Sequence, residues 1–285
     1  MEVFSNTLFA DASAEYSDAD YVIFGVPFDG TSSYRPGSRA APREIRAISY
    51  NFETYLPAVG VDLMDVAIHD LGDLEVYAVP EPVLESVRET VAMIAGDGKV
   101  PVMIGGEHTI TPAAVEAVGA DCFVVLDAHL DLRDEYGGTP WNHACATRRV
   151  MDLGVEEIVI IGARSGTRQE FELAQDLHLF TADDVRRVGI ESVLKEVRGI
   201  VGDRSVYLSI DADAIDCCLT PGLGTPEPFG LSPWDLRSVV RTLAAQATGF
   251  DYVEVCPIDD GQTAAVAAKL IREFIAWNHS GQRDF

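Results

Sequence analysis

Asp127-Ala128-His129-Leu130-Asp131 follows directly on the apolar run 122–126 and sets three metal-competent side chains in five positions. Alternate residues of an extended backbone face the same way, so Asp127, His129 and Asp131 are expected to converge beyond the end of a strand. Carboxylates held that close repel one another and lose hydration unless cations hold them. Three further stretches repeat the pattern of apolar run and then ligand. Residues 100–104 lead into Gly105-Gly106-Glu107-His108, residues 206–210 into Asp211-Ala212-Asp213, and Tyr252-Val253 into Glu254. Alone, His108 could be a core histidine, Asp211 and Asp213 a turn or helix cap, and Glu254 a carboxylate at a strand edge. Together they place two histidines and four aspartates (His108, Asp127, His129, Asp131, Asp211, Asp213) at one rim. A ligand set rich in oxygen with a minority of imidazole suits Mn²⁺ better than zinc. Four carboxylates exceed the charge of one divalent ion. Two Mn²⁺ per subunit are therefore expected, roughly 3.5–4 Å apart.

Such a rim needs strands to carry it. β-Branched apolar runs at 21–28, 100–104, 122–126, 158–161, 206–210 and 252–255 read as strands buried on both faces. Helical periodicity lies between them at 82–95, 112–118, 170–176, 233–245 and 263–277. Thr111-Pro112 and Ser232-Pro233 read as an N-cap hydroxyl followed by a first-turn proline. Strand and helix alternation implies βαβ units and a mainly parallel sheet with helices on both faces. In open sheets of this kind the site lies beyond the carboxyl ends of the strands, where these ligands fall.

The chain of 285 residues carries 46 acidic against 21 basic residues, a formal net charge of −25, and three lysines. Such a surface repels phosphates and anionic lipid, so neither nucleic acid nor membrane is expected as a partner. Self-repulsion at this charge destabilises the compact state unless salt screens it, which points to a high-salt, halophilic cytoplasm. No signal peptide and no apolar run of about 20 residues is legible, so a cytoplasmic location is expected. Five scattered cysteines without a CxxC spacing suit reduced thiols, read as small buried hydrophobes. There are no repeats and no long linker, and a single domain over 1–285 is expected.

The motifs as a set resemble the ureohydrolase family, the arginases and agmatinases. The resemblance is carried by Gly105-Gly106-Glu107-His108, Asp127-Ala128-His129-Leu130-Asp131 and Ser209-Ile210-Asp211-Ala212-Asp213 with Pro221-Gly222-Leu223-Gly224-Thr225-Pro226. It extends to Gly25-Val26-Pro27-Phe28-Asp29 and Tyr34-Arg35-Pro36-Gly37. It implies a three-layer αβα fold around an eight-stranded, mainly parallel sheet, and a homotrimer or homohexamer. It also implies one manganese held by His108, Asp127, Asp131 and Asp211 and another by Asp127, His129, Asp211 and Asp213. Two such cations would bring the pKa of water toward neutrality and supply a nucleophile for a guanidinium carbon. Glu254 matches the carboxylate that orients the guanidinium, and Asp131 can accept the nucleophile's proton. His143, in Trp141-Asn142-His143-Ala144-Cys145, sits where the family keeps a proton-shuttling histidine. The family often follows that histidine with glycine, and Ala144 departs from this. A metal-binding scaffold without turnover is the rival class, and retention of all six ligands with Glu254 and His143 speaks against it.

The substrate reading rests on two departures from arginases. Leu132-Arg133-Asp134-Glu135-Tyr136-Gly137-Gly138 lacks their Asn and Ser for the α-carboxylate, and Ala163-Arg164-Ser165-Gly166-Thr167 lacks their aspartate for the α-amine. Acidic and aromatic residues there suit a cationic tail, hence agmatine, hydrolysed to putrescine and urea. Guanidinobutyrate, aminopropylagmatine, arginine and guanidine are the alternatives. Arg133 and Arg164 are expected in loop or interface salt bridges rather than on a substrate carboxylate. Cys217-Cys218 stands where the family commonly has Pro-Ala and is expected to alter packing without removing a ligand.

Overall fold

A computed structural model describes residues 8–283. Ten strands run in chain order as β1 Tyr21–Val26, β2 Tyr55–Leu56, β3 Val61–Asp62, β4 Ile68–Asp73, β5 Val100–Gly105, β6 Cys122–Leu126, β7 Glu157–Ile161, β8 His178–Phe180, β9 Val206–Asp211 and β10 Ala247–Val253. Eight of them form one sheet in the order β4-β1-β5-β10-β9-β6-β7-β8, while β2 and β3 make a small antiparallel hairpin outside it. Every pairing in the large sheet is parallel.

Side chains alternate across the sheet as the two-residue period requires. Tyr21 and Ile23 of β1, and Cys122, Val124 and Leu126 of β6, enter one core, whereas Val22, Phe24, Phe123 and Val125 enter the other. The helices are α1 Ala41–Ser49, α2 Pro80–Gly96, α3 Thr111–Val118, α4 Ala146–Asp152, α5 Arg168–Leu173, α6 Ala182–Val188, α7 Ile190–Val201, α8 Pro233–Leu243 and α9 Gln262–Arg283. The first core is closed by α1, α6, α7, α8 and α9, and the second by α2, α3, α4 and α5. The result is the three-layer αβα arrangement expected.

Local chemistry explains the element ends. Ser232 caps α8, accepting from the Asp235 N–H while Asp235 accepts from Ser232, a reciprocal capping box. Thr111 does not act as the cap expected of it. It is the first residue of α3, and its hydroxyl donates instead to Asp251 at 2.9 Å. Arg46 of α1 is buried and holds the polar edge strand β4. It donates to both carboxylate oxygens of Asp70 at 2.8 and 2.9 Å, to the Gly72 carbonyl at 3.0 Å and to Asp73. No helix among the described residues is long and apolar enough to cross a membrane.

Candidate active site

The strands β5, β10, β9 and β6 are consecutive at the centre of the sheet, and each delivers candidate ligands at its carboxyl end. His108 lies three residues beyond β5, Asp127 directly beyond β6, Asp211 at the end of β9, and Glu254 directly beyond β10. The chain passes from β5 to β6 across two places that β9 and β10 fill later, so the site occupies the crevice where the strand order reverses. Gly106 makes the turn after β5 feasible: a Cβ there would meet the Phe28 carbonyl oxygen at 1.9 Å. Only a residue without a side chain lets the two backbones approach this closely. The next amide, that of Glu107, then donates to that carbonyl at 2.8 Å.

The six predicted ligands come together. The Nδ1 of His108 faces Asp127 at 3.2 Å, Asp211 at 3.4 Å and Asp131 at 3.5 Å. The Nδ1 of His129 lies 2.9 Å from Asp213 and 3.6 Å from Asp127. Asp127 thus belongs to two groupings, one with His108 and Asp131 and one with His129 and Asp213. The route differs from simple alternation along a strand. β6 stops at Leu126, and Asp131 adopts a left-handed φ of 50°, which swings its carboxylate to the His108 side while His129 serves the other. Glu254 also has a left-handed φ, 63°. Each such residue costs on the order of 1–3 kcal/mol, a kind of strain concentrated at functional sites.

The hydrogen bonds behind His108 determine its tautomer. Its Nε2 lies 3.0 Å from the Ser209 hydroxyl, which donates its own proton to Asp251 at 2.5 Å. Asp251 also accepts from Tyr207 and Thr111, both at 2.9 Å. With the serine proton committed to Asp251, Nε2 must donate, which leaves Nδ1 turned to three carboxylates. Burial lowers the His108 pKa but those carboxylates raise it well above the usual imidazole value, so a cation bound there would take the place of the Nδ1 proton. Neither His108 Nδ1 nor Asp127 Oδ2 has a hydrogen-bond partner, although both are buried. An imidazole nitrogen and carboxylates converging in a dry place fit a cation, and the Ser209–Asp251 pair is the outer support that ligating histidines use. The electrostatics agree. Burial, then the charges of Asp213 and Asp127, push Asp211 well above the usual carboxylate range. Burial and Asp127 push Asp131 up to about 7. Glu254 is raised by burial and by Glu107, while its Oε1 accepts the His108 N–H at 2.7 Å.

A cleft of about 250 Å³ opens above the ligands, lined by His129, Asp131, Tyr136, His143, Thr225 and Glu254 among others. His143 therefore faces the same space as the ligands, and burial together with the nearby His129 and His108 rings lowers its pKa to about 4. Arg133 also lines the cleft but is engaged, 3.5 Å from Glu170 and stacked over Tyr136. Among the described residues Arg164 makes no salt bridge within the chain; its guanidinium donates to the carbonyls of Gly162, Asp213, Ala214, Glu227 and Pro228. Cys122, Cys145 and Cys256 are buried and Cys217 packs partly on the core, but Cys218 is exposed and so is no buried hydrophobe. Ser209 and Asp251 escaped the sequence reading because they sit inside β9 and β10, where a polar residue in an apolar run was the available signal.

The fold and this rim define a class. The chain matches the arginase family over residues 19–276 and belongs to it. It is 39% identical over 263 residues to the N(1)-aminopropylagmatine ureohydrolase of Thermococcus kodakarensis, covering 90% of each chain. It is 36% identical to the agmatinase of Pyrococcus horikoshii, over 91% of this chain and 92% of that one. Among solved structures, the agmatine ureohydrolase of Thermoplasma volcanium superposes with a TM-score of 0.94 at 43% identity, covering 99% of this chain and 97% of its own.

Proposed function

We propose that this chain, acting as one ureohydrolase domain, is a binuclear-manganese agmatinase that converts agmatine and water to putrescine and urea. The observation that carries the reading is the buried His108 Nδ1, without a hydrogen-bond partner, aimed at Asp127, Asp131 and Asp211, with Asp127 shared by the His129–Asp213 group. One ion would be held by His108, Asp127, Asp131 and Asp211, and the other by Asp127, His129, Asp211 and Asp213. Bound there, two divalent cations supply the Lewis acidity that makes water a nucleophile near neutral pH.

The chain's own residues do the rest. Glu254 reaches the cleft from the end of β10 and accepts guanidinium N–H bonds, which orients the electrophilic carbon. Asp131 accepts the proton released by the nucleophile. The departing amine needs a proton, and His143 on the cleft wall is placed to take up the proton collected by Asp131 and pass it on. Arg133 is tied to Glu170 and Tyr136, which leaves the acidic character of the cleft to favour a cationic tail over a carboxylate. The likeness to an aminopropylagmatine ureohydrolase supports a second reading, in which a longer polyamine tail is accepted. A homotrimer or homohexamer goes with the family, and the exposed Phe229 and Trp234 give such an assembly apolar surface to cover.

The deciding assay measures urea release by the Mn²⁺-loaded protein in high salt from agmatine, aminopropylagmatine, arginine, guanidinobutyrate and guanidine. Agmatine should be turned over fastest. Faster release from arginine would overturn the substrate, and no urea from any of them would overturn the activity. Asp127→Ala should abolish binding of both ions in a calorimetric titration, and retained stoichiometry would refute the shared ligand.

A further inference from the structure

We propose that Glu107 and Thr31 form a relay that fixes the tautomer of His143, leaving Nε2 as the nitrogen that exchanges a proton with substrate. Glu107 carries no role in the chemistry above, yet it is fully buried beside the cleft. A buried carboxylate is costly unless donors surround it, and here they do. Glu107 accepts from the Thr31 N–H at 3.1 Å, the Thr31 hydroxyl at 2.6 Å, the Thr109 hydroxyl at 2.9 Å and the Ser32 hydroxyl at 3.4 Å. The Thr31 proton is thereby committed to Glu107, and the Thr109 proton likewise.

The other side of the Thr31 hydroxyl can only accept. Its oxygen lies 3.3 Å from His143 Nδ1 and accepts the His143 backbone N–H, also at 3.3 Å. A neutral imidazole has one donor and one acceptor nitrogen. Facing an oxygen whose proton points elsewhere, Nδ1 must carry the hydrogen. Nε2 is then bare and lies 3.2 Å from the Ser33 hydroxyl, which can donate to it from the lining of the cleft. The ring is steadied on a further side by Tyr136, edge-on with centroids 6.2 Å apart. Glu107 and Thr31 are thus positioning residues, and they touch neither substrate nor ligand atoms in this role. The relay holds His143 with its free nitrogen toward Ser33 on the lining of the cleft.

This inference rests on the proposed role of His143 as a proton shuttle, whose bare Nε2 takes up a proton and passes it to the departing amine, but its test separates the two. Nitrogen-15 spectra of the histidines are recorded on the protein with diamagnetic Mg²⁺ in place of manganese. They are taken at about pH 8, above the ordinary histidine pKa of about 6.5. The His143 signal is assigned by its loss in His143→Asn. Wild type should show His143 protonated at Nδ1 with Nε2 bare. Thr31→Val should lose that signature and lower kcat about 10-fold or more with KM within about 3-fold, the expectation for a misplaced acid–base group. Thr31→Ser keeps the hydroxyl and should restore both. A wild-type ring protonated at Nε2, or an unaltered Nδ1–H signature in Thr31→Val, overturns the relay. The wild-type spectrum alone decides if Thr31→Val does not fold. Absence of urea from any substrate would sink the proposed activity and leave the tautomer result intact.

Discussion

Ser209→Ala tests whether the tautomer of His108 governs metal affinity. The serine hydroxyl bridges His108 Nε2 at 3.0 Å and Asp251 at 2.5 Å, so alanine leaves both without that partner. Asp251 retains Thr111 and Tyr207 on its other oxygen, so its loss is partial. An unsatisfied buried donor costs about 1–3 kcal/mol, which sets the expected fall in stability of the metal-free protein. The effect on the metal is separate. Without the serine, Nε2–H is no longer rewarded, and a proton on Nδ1 gains three carboxylate neighbours and must be displaced by the incoming cation. Removal of such an outer partner costs 10- to 100-fold in affinity, about 1.4 to 2.8 kcal/mol. Calorimetric titration of Mn²⁺ into metal-free wild type and variant reads the affinity, and denaturant unfolding of the same samples reads the stability. A fall in stability with Mn²⁺ affinity unchanged within about twofold would make Ser209 a packing residue and refute the tautomer reasoning.

Arg46→Ala should destabilise the protein by about 3–5 kcal/mol, because it strands a buried Asp70 carboxylate; a denaturation midpoint unchanged from wild type would contradict this. Glu273 is pushed up by burial but pulled down further by Arg241 and Arg237, so its folded pKa lies below the usual value. A depressed carboxylate stabilises the fold fully above its unfolded pKa of about 4.3, and that contribution is lost as pH falls through the folded value. The stability gap between wild type and Glu273→Gln should therefore be full near neutrality and close in acid, and a gap that widens on acidification would reverse the sign. With a net charge of −25, thermal stability should rise steeply as KCl is raised toward molar concentrations, and a flat profile would count against the high-salt reading.

What the sequence made legible follows burial on both faces. Of the six interior strands of the sheet, β1, β5, β9, β6 and β7 are mostly apolar runs legible to within a residue or two at their ends, whereas the run 252–255 meets β10 only in its last two residues because Thr248, Gly249 and Asp251 interrupt it. The two edge strands were not legible. β4, Ile-His-Asp-Leu-Gly-Asp, is half polar because its aspartates answer Arg46, and β8 is three residues long. Edge strands need only one partner and carry charge or brevity as protection, which erases the hydrophobic signature. Among the helices, α7 has a clear amphipathic period that went unread, whereas α4 and α6 span only seven residues each. That the six candidate ligands would gather was legible because carboxylates are rarely spent beside a core without use. The left-handed φ of Asp131 and Glu254 left no mark, since it is imposed by surroundings distant in sequence.

Arg164 has a consequence beyond its own contacts. The segment from Asp213 to Pro228 brings Asp213 and Thr225 to the candidate site, and it is gathered by a guanidinium just beyond β7 that grips four of its carbonyl oxygens. Carbonyls are the same whatever side chain a residue bears, so the instruction for the shape of this segment is written elsewhere in the chain. Its side chains that enter neither the site nor the core are thereby freer to vary, whereas Asp213, the buried Ile215 and Leu223, and the run Pro221–Pro226 are not. Cys217-Cys218 reads as that latitude in use, and an engineer seeking to vary the rim without redesigning it would begin there and leave Arg164 alone.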